Sequence, residues 1–179
     1  MAVARRHFAE RGYAGTATED LVKEAGVTRG ALYHHFRDKA DLFRAFVQEG
    51  EVELLRRVGQ AADAAGADPW ERLQAGAQGF LDGCLEPAVQ RCLLEAPSVL
   101  GWEEWREIRT RSTLGLLTGA IERAIEAGTI TPQPVEPLAQ MLYGALYEAG
   151  LAIARAPDRT EARREIGESV ALLFRALRR

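Results

Sequence analysis

Apolar positions recur at helical spacing along most of the chain. From Lys39, the positions Leu42, Phe43, Phe46, Val47, Leu54, Leu55 and Val58 fall along one long helix. The stretch 59–69, GQAADAAGADP, reads as a loop or a frayed end. A fifth helix is expected from about Trp70 to Leu85, with Leu73, Ala77, Phe80, Leu81 and Cys84 on one side. Pro87 opens a short sixth helix that should stop before Pro97, because an internal proline lacks the N–H that the helix needs. A seventh runs from near Trp102 to Ala127 and is ended by Gly128 and Thr131-Pro132-Gln133-Pro134. An eighth spans 135–154, and beyond Pro157 a ninth covers about 159–177. Valine-rich alternation is absent, so no strand is expected. The pattern predicts an all-α fold of about nine helices without internal repeats. It divides into a three-helix head over 1–47 and a helical body over 48–179.

The segment 16–39, TATEDLVKEAGVTRGALYHHFRDK, predicts two short helices joined by a tight turn. Thr18 suits an N-cap, and Glu19 and Asp20 behind it place negative charge at the positive end of the helix dipole. Leu21, Val22 and Ala25 give the apolar stripe. Gly26 sits where the chain leaves the helix through a left-handed residue, Val27 plugs the small core, and Thr28 caps the next helix. In that second helix Ala31, Leu32 and Phe36 are spaced to pack inward. Arg29, Gly30, Tyr33, His34 and His35 stay on the outer side.

Such an outer face has the chemistry of a DNA-reading helix. Arg29 in the first turn can pair bidentately with guanine O6 and N7, and small Gly30 and Ala31 let the backbone approach a base edge or a thymine methyl. Tyr33, His34 and Lys39 are placed to donate to phosphate oxygens, which fix register without reading sequence. An ordinary helical hairpin with a solvated face is the competing interpretation of these residues alone.

A longer stretch, FAERGYAGTATEDLVKEAGVTRGALYHHFRDKADLF, resembles the DNA-binding domain of the tetracycline-repressor (TetR) family of bacterial regulators. Its most specific pieces are Phe8 to Tyr13, Ala25-Gly26-Val27, and Leu32 to Phe36 followed by Lys39. The resemblance implies that Thr18 contacts the DNA backbone at the start of helix two. It further implies that Thr28, Arg29, Gly30, Ala31, Tyr33 and His34 form the reading surface, and that Lys39 clamps a phosphate at the start of helix four. Family members begin with a fuller first helix preceded by a basic arm. This chain starts partway along that helix, so either the sequence lacks part of it or this member has a short one.

Composition bears on these readings in three ways. A net charge of −3 looks wrong for a DNA binder until it is divided: residues 1–47 hold eight Lys and Arg against six Asp and Glu, and the remainder holds 15 against 20. A small basic head on an acidic body results. The longest apolar runs fall well short of the roughly 18 residues a membrane helix needs, and no signal sequence is evident. A soluble, cytoplasmic protein with no membrane partner is therefore expected. Finally, Cys84 and Cys92 make no CxxC or metal-ligand pattern and read as small buried hydrophobes.

The last two helices carry a seam. In helix nine Ile166, Val170, Leu173 and Leu177, flanked by Phe174, fall at steps of four, three and four. Helix eight offers Leu138, Leu142, Ala145, Leu146, Ala149 and Ile153. Such a pair can bury its apolar face against a second copy in a four-helix arrangement, or serve as core within one chain. The family resemblance favours the homodimer, and a two-fold protein presents two recognition helices to a near-palindromic operator in double-stranded DNA.

Helices five to eight also supply Phe80, Cys84, Leu94, Leu100, Trp102, Trp105, Leu116, Met141, Tyr143 and Tyr147, enough apolar surface to line a cavity for a small effector. Packed core is the alternative for each. Glu104, Arg106, Arg109, Arg111 and Glu148 could orient a polar ligand. A ligand favouring one separation of the two heads would shift the population away from the DNA-competent state, with helix four as the link.

Against an enzyme, the body holds no histidine to activate a nucleophile. His34 and His35 are adjacent rather than spaced as helical metal ligands are, so neither a metal nor a cofactor is expected. A helical dimerisation module without specific DNA binding is the remaining alternative. The sequence reads as a ligand-responsive DNA-binding regulator, acting as a repressor.

Overall fold

The computed structural model describes residues 1–179, apart from the side chain of Ser112. Nine helices follow one another: α1 (Ala2–Arg11), α2 (Thr18–Ala25), α3 (Arg29–His35), α4 (Lys39–Ala64), α5 (Pro69–Gly83), α6 (Pro87–Leu100), α7 (Trp102–Glu126), α8 (Val135–Arg155) and α9 (Arg159–Arg175). Among the described residues the only β contact is an isolated antiparallel bridge between Ile130 and Arg178, which ties the chain end to the α7–α8 connection.

Aromatic packing builds the head. Phe8 of α1 is fully buried and meets Phe43 edge-on at 5.1 Å and Phe46 at 5.4 Å, both from α4. Tyr13 closes the cluster against Phe43 at 5.2 Å. The first turns of α4 thus belong to the core of the head. His7, also buried, binds the Glu24 carboxylate through Nε2 at 2.7 Å and joins α1 to α2.

Polar bonds fix head to body. Glu95 of α6 accepts the Tyr13 backbone N–H at 2.7 Å and pairs with Arg91 at 2.9 Å, and Arg91 also reaches the backbone carbonyls of Ala9 and Glu10. On the other side Arg44 of α4 bonds Asp41 and, through a two-nitrogen contact, Glu104 of α7.

Two helices run further than their sequence suggests. Helix α4 continues to Ala64 through the stretch read as a loop, because its alanines are the strongest helix formers and its small side chains let α5 approach closely. A methyl group at Gly79 of α5 would lie 2.6 Å from Ala61 Cβ, so this contact admits only glycine without movement. Helix α6 passes through Pro97 to Leu100 rather than stopping before it. Ala96 is fully buried and Val99 and Leu100 pack on the core, which offsets the one backbone bond proline removes.

Candidate nucleic-acid interface and effector cavity

The candidate reading face is made by a turn and a cap. Gly26 adopts φ 66° and ψ 27°, a left-handed conformation that ends α2 and turns the chain, and no residue but glycine takes it without cost. Thr28 then caps α3: its Oγ1 accepts the Ala31 N–H at 3.1 Å. No residue of the seven in α3 is fully buried, and of the segment only Leu32 and the C-cap Phe36 that follows the helix lean on the core. Arg29, Gly30, Ala31, Tyr33, His34 and His35 are all exposed.

Arg29 pairs with Glu19 of α2 at 3.3 Å and lies 5.5 Å from the centre of the Tyr33 ring. Both partners of that pair are well exposed, so it holds Arg29 weakly, by about 0–1 kcal/mol, and a nucleic acid can displace it. Lys39 begins α4, half-buried, with Nζ 4.3 Å above the Tyr13 ring. Thr18 differs from its expected local role. Ala17 is the N-cap of α2 with no side-chain bond, and Thr18 is the first helical residue, half-buried. Two inward assignments also change: Ala31 is exposed, and so is Val27, because the short turn keeps both on the outer side of the α2–α3 pair. Arg37 just beyond α3 is a further exposed cation, paired with Asp41 at 3.5 Å. Sequence reading passed over it because it lies outside the helical pattern.

In the body, an apolar cavity of about 170 Å³ opens among α4, α5 and α7, lined by Leu55, Val58, Phe80, Thr113, Leu116 and Leu117 among others. Of the ten residues named as candidates for an effector cavity, Phe80 and Leu116 line it. Trp102 and Met141 point to the surface, being 59% and 66% exposed. Cys84 is sealed at the α5–α8 contact, where a methyl on Gly150 would come within 2.9 Å of its sulfur. Trp105, Tyr143 and Tyr147 instead gather around Arg109, with ring centres at 4.6, 5.0 and 3.7 Å from its guanidinium carbon. Glu51 of α4 was missed by sequence reading. Its signal was there, a carboxylate set among Val47, Leu54 and Leu55 on the inward sector of a helix.

The seam on α8 and α9 is mostly turned inward. Leu138, Leu142, Leu146, Ile153, Val170 and Phe174 are buried within the single chain, and Ala145, Ala149, Ile166 and Leu177 are half-buried. Leu173 alone of that set is exposed. The core claims these residues because α8 must cover α5, α6 and α7 at once. Outward, the same two helices show a different stripe: Met141, Gly144, Glu148 and Ala152 on α8, and Leu172, Leu173 and Ala176 on α9.

A helix-turn-helix head joined by one long helix to an all-helical body is the architecture of a one-component transcriptional regulator. Comparison with known proteins agrees. Residues 1–46 match the family "Bacterial regulatory proteins, tetR family", and residues 70–177 match "Tetracyclin repressor-like, C-terminal domain". The chain belongs to the TetR family of transcriptional regulators.

Among solved structures, a TetR-family transcriptional regulator from Pectobacterium atrosepticum superposes with a TM-score of 0.87. It is 34% identical and covers 99% of this chain and 91% of that one. The HTH-type transcriptional repressor Rv1474c of Mycobacterium tuberculosis is 50% identical over 131 residues, 72% of this chain and 58% of that protein. The repressor AcnR of Corynebacterium diphtheriae is 42% identical over 57 residues, 32% of this chain and 30% of that protein. The matched stretches span less than two thirds of these two relatives. Among the described residues, no helix is long and apolar enough to cross a membrane.

Proposed function

We propose that the chain acts as a homodimeric repressor that binds a near-palindromic operator and leaves it when a small molecule enters the body. The observation that carries this reading is the state of α3. A capped helix of seven residues, none buried, stands on a fully packed head and turns Arg29, Gly30, Ala31, Tyr33 and His34 to solvent. In this reading Arg29 reads a base edge, while Thr18, Thr28, Tyr33, His34 and Lys39 set the head on the phosphate backbone.

The second copy seats on the outward stripe of α8 and α9. Met141, Leu172 and Leu173 are large apolar side chains in water, and Gly144, Ala145 and Ala152 let a partner helix approach closely. Effector entry at the α4–α5–α7 cavity acts through α4, whose first turns are core of the head and whose last turns line the cavity. At roughly 1.5 Å per residue α4 reaches across nearly 40 Å, long enough to convert a small tilt in the body into a displacement of the head.

The test is selection from fragments of the host genome. The full chain should retain discrete fragments over random duplex at moderate ionic strength, with an affinity that falls steeply as salt rises. Light scattering should give a dimer, and Leu172→Glu should give a monomer that no longer retains those fragments. Retention of all fragments alike, or none, would sink the reading.

A further inference from the structure

Arg109 is a charged side chain buried in the core of the body for which, among the described residues, no carboxylate forms an ion pair. It is 6% exposed, yet among the described residues it makes no hydrogen bond and no carboxylate oxygen comes within ion-pair range of it. Three aromatic faces surround the guanidinium, from Trp105, Tyr143 and Tyr147. Aromatic faces attract a cation but leave its N–H donors unmet. One of those rings adds a second unmet group, since the Tyr143 hydroxyl is buried without a partner. An unpaired guanidinium whose carbon lies 5.0 Å from the Tyr143 ring, and that ring's own unpartnered hydroxyl, together leave room for an acceptor not supplied by the described residues.

A small internal space of about 20 Å³ borders Arg109, lined also by Glu51, Phe80 and Trp105. It has room for little more than one water-sized group. The 170 Å³ apolar cavity begins one helical turn away: Arg109 and Thr113 are four apart on α7, Glu51 and Leu55 are four apart on α4, and Phe80 lines both spaces. Glu51 faces the same space but makes no ion pair or hydrogen bond with Arg109 among the described residues. Burial pushes its carboxyl up toward the neutral form, against the Thr113 hydroxyl and the Arg109 charge, and its Oε1 is already taken by Thr113 at 2.5 Å.

Resting on the effector reading above, the geometry points to a small carboxylate with an apolar tail as the ligand class, its carboxylate held by Arg109 and the Tyr143 hydroxyl and its tail running past Phe80 into the α4–α5–α7 cavity. The planar fork of a guanidinium pairs bidentately with a carboxylate, and the 20 Å³ space has to widen less for a flat carboxylate than for a bulkier tetrahedral phosphate. Bound there, the ligand sets a negative charge beside Glu51, on the helix that carries the head.

The test uses hexanoate, with hexanamide and hexyl phosphate as the uncharged and tetrahedral counterparts, titrated calorimetrically into the full chain. Hexanoate should bind roughly 10-fold or more tighter than hexanamide, in line with a charge-assisted pair. Arg109→Met should weaken hexanoate by roughly 10- to 100-fold while raising the melting temperature of the ligand-free protein, because it removes a buried charge that has no partner. A merely structural arginine would lower that temperature instead. Tyr143→Phe, which removes one hydroxyl and no carbon, should weaken hexanoate several-fold with the fold intact. Equal binding of hexanoate and hexanamide, tighter binding of hexyl phosphate, or unchanged hexanoate affinity in Tyr143→Phe would overturn the assignment. Discrete genomic fragments retained by a protein that ignores hexanoate would overturn it too, leaving the repressor reading in place. Hexanoate bound by a protein that retains no fragment would uphold the site and defeat the repressor.

Discussion

Thr28 caps α3 and, in the proposed reading, also touches the DNA backbone, and Thr28→Ala pulls the two apart. In the free protein its Oγ1 accepts one bond, from the Ala31 N–H at 3.1 Å, at the exposed start of α3. Losing an N-cap of this kind costs about 1 kcal/mol. Because α3 has no fully buried residue, little else resists the loss, and it should appear as local opening of the helix. About 1 kcal/mol corresponds to a roughly fivefold rise in the open population. Hydrogen exchange at the Leu32 N–H, which bonds Thr28 O at 3.1 Å, and at the Tyr33 N–H should therefore quicken roughly fivefold without DNA. DNA affinity responds differently. As long as the helix stays mostly formed, a fivefold rise in a minor open state scarcely lowers the competent fraction. Any larger loss of operator affinity in Thr28→Ala measures the lost hydroxyl contact to DNA, and Thr28→Ser, which keeps the oxygen, should restore both quantities. Unchanged exchange in Thr28→Ala would refute the capping argument.

Other consequences concern the body. Gly79→Ala forces a methyl against Ala61 Cβ at 2.6 Å, so overpacking of about 1–3 kcal/mol outweighs the helix gain of about 1, and melting should fall by a few degrees. Gly59→Ala, with open space around it, should raise melting instead, and matching shifts in both would contradict the close α4–α5 contact. Burial raises the Glu51 carboxyl above its ordinary value of 4.5, so the stability its neutral form provides is complete below that value and is lost as pH rises through the raised one. Glu51→Gln should accordingly melt above the parent at pH 8 and match it near pH 4, in buffers free of carboxylates; a constant offset would reject this. Burial also pushes the Cys84 thiol up to about 12 and raises that of Cys92 as well, so neither should react with a disulfide reagent at pH 8 until the protein is unfolded in guanidinium. Prompt labelling of the native chain would show that these helices open far more readily than their packing implies.

The head was legible because its signals are local. Gly26, Thr28 and the acidic first turn of α2 each act within four residues, and neighbours decide their conformation. Thr18 shows the limit: Ala17 and Thr18 are both able to start a helix, and the choice between them rests on how residues 13–17 leave α1. Boundaries set by packing were hidden. Nothing near Pro97 announces that Ala96 is fully buried and holds the helix through it, and the alanines of 60–64 look like a loop until Gly76 and Gly79 are seen opposite them. The α8–α9 seam misled for a related reason. An apolar stripe tells which face is buried, not whether the burial is within one chain or between two, and here the core took most of it. Arg109 was one of five charged residues named for the body; only burial and the absence of an acceptor separate it from Arg106 and Arg111, which are exposed.

Entry of the outer face of α3 into the major groove is tested most directly by comparing Arg29→Ala with Lys39→Ala on an operator and on a scrambled duplex across a range of salt. Arg29→Ala should lose discrimination between the two duplexes by about 1–3 kcal/mol, while Lys39→Ala should weaken both equally and reduce the salt slope by about 1. Equal loss of discrimination in both variants, or none in either, would contradict the account.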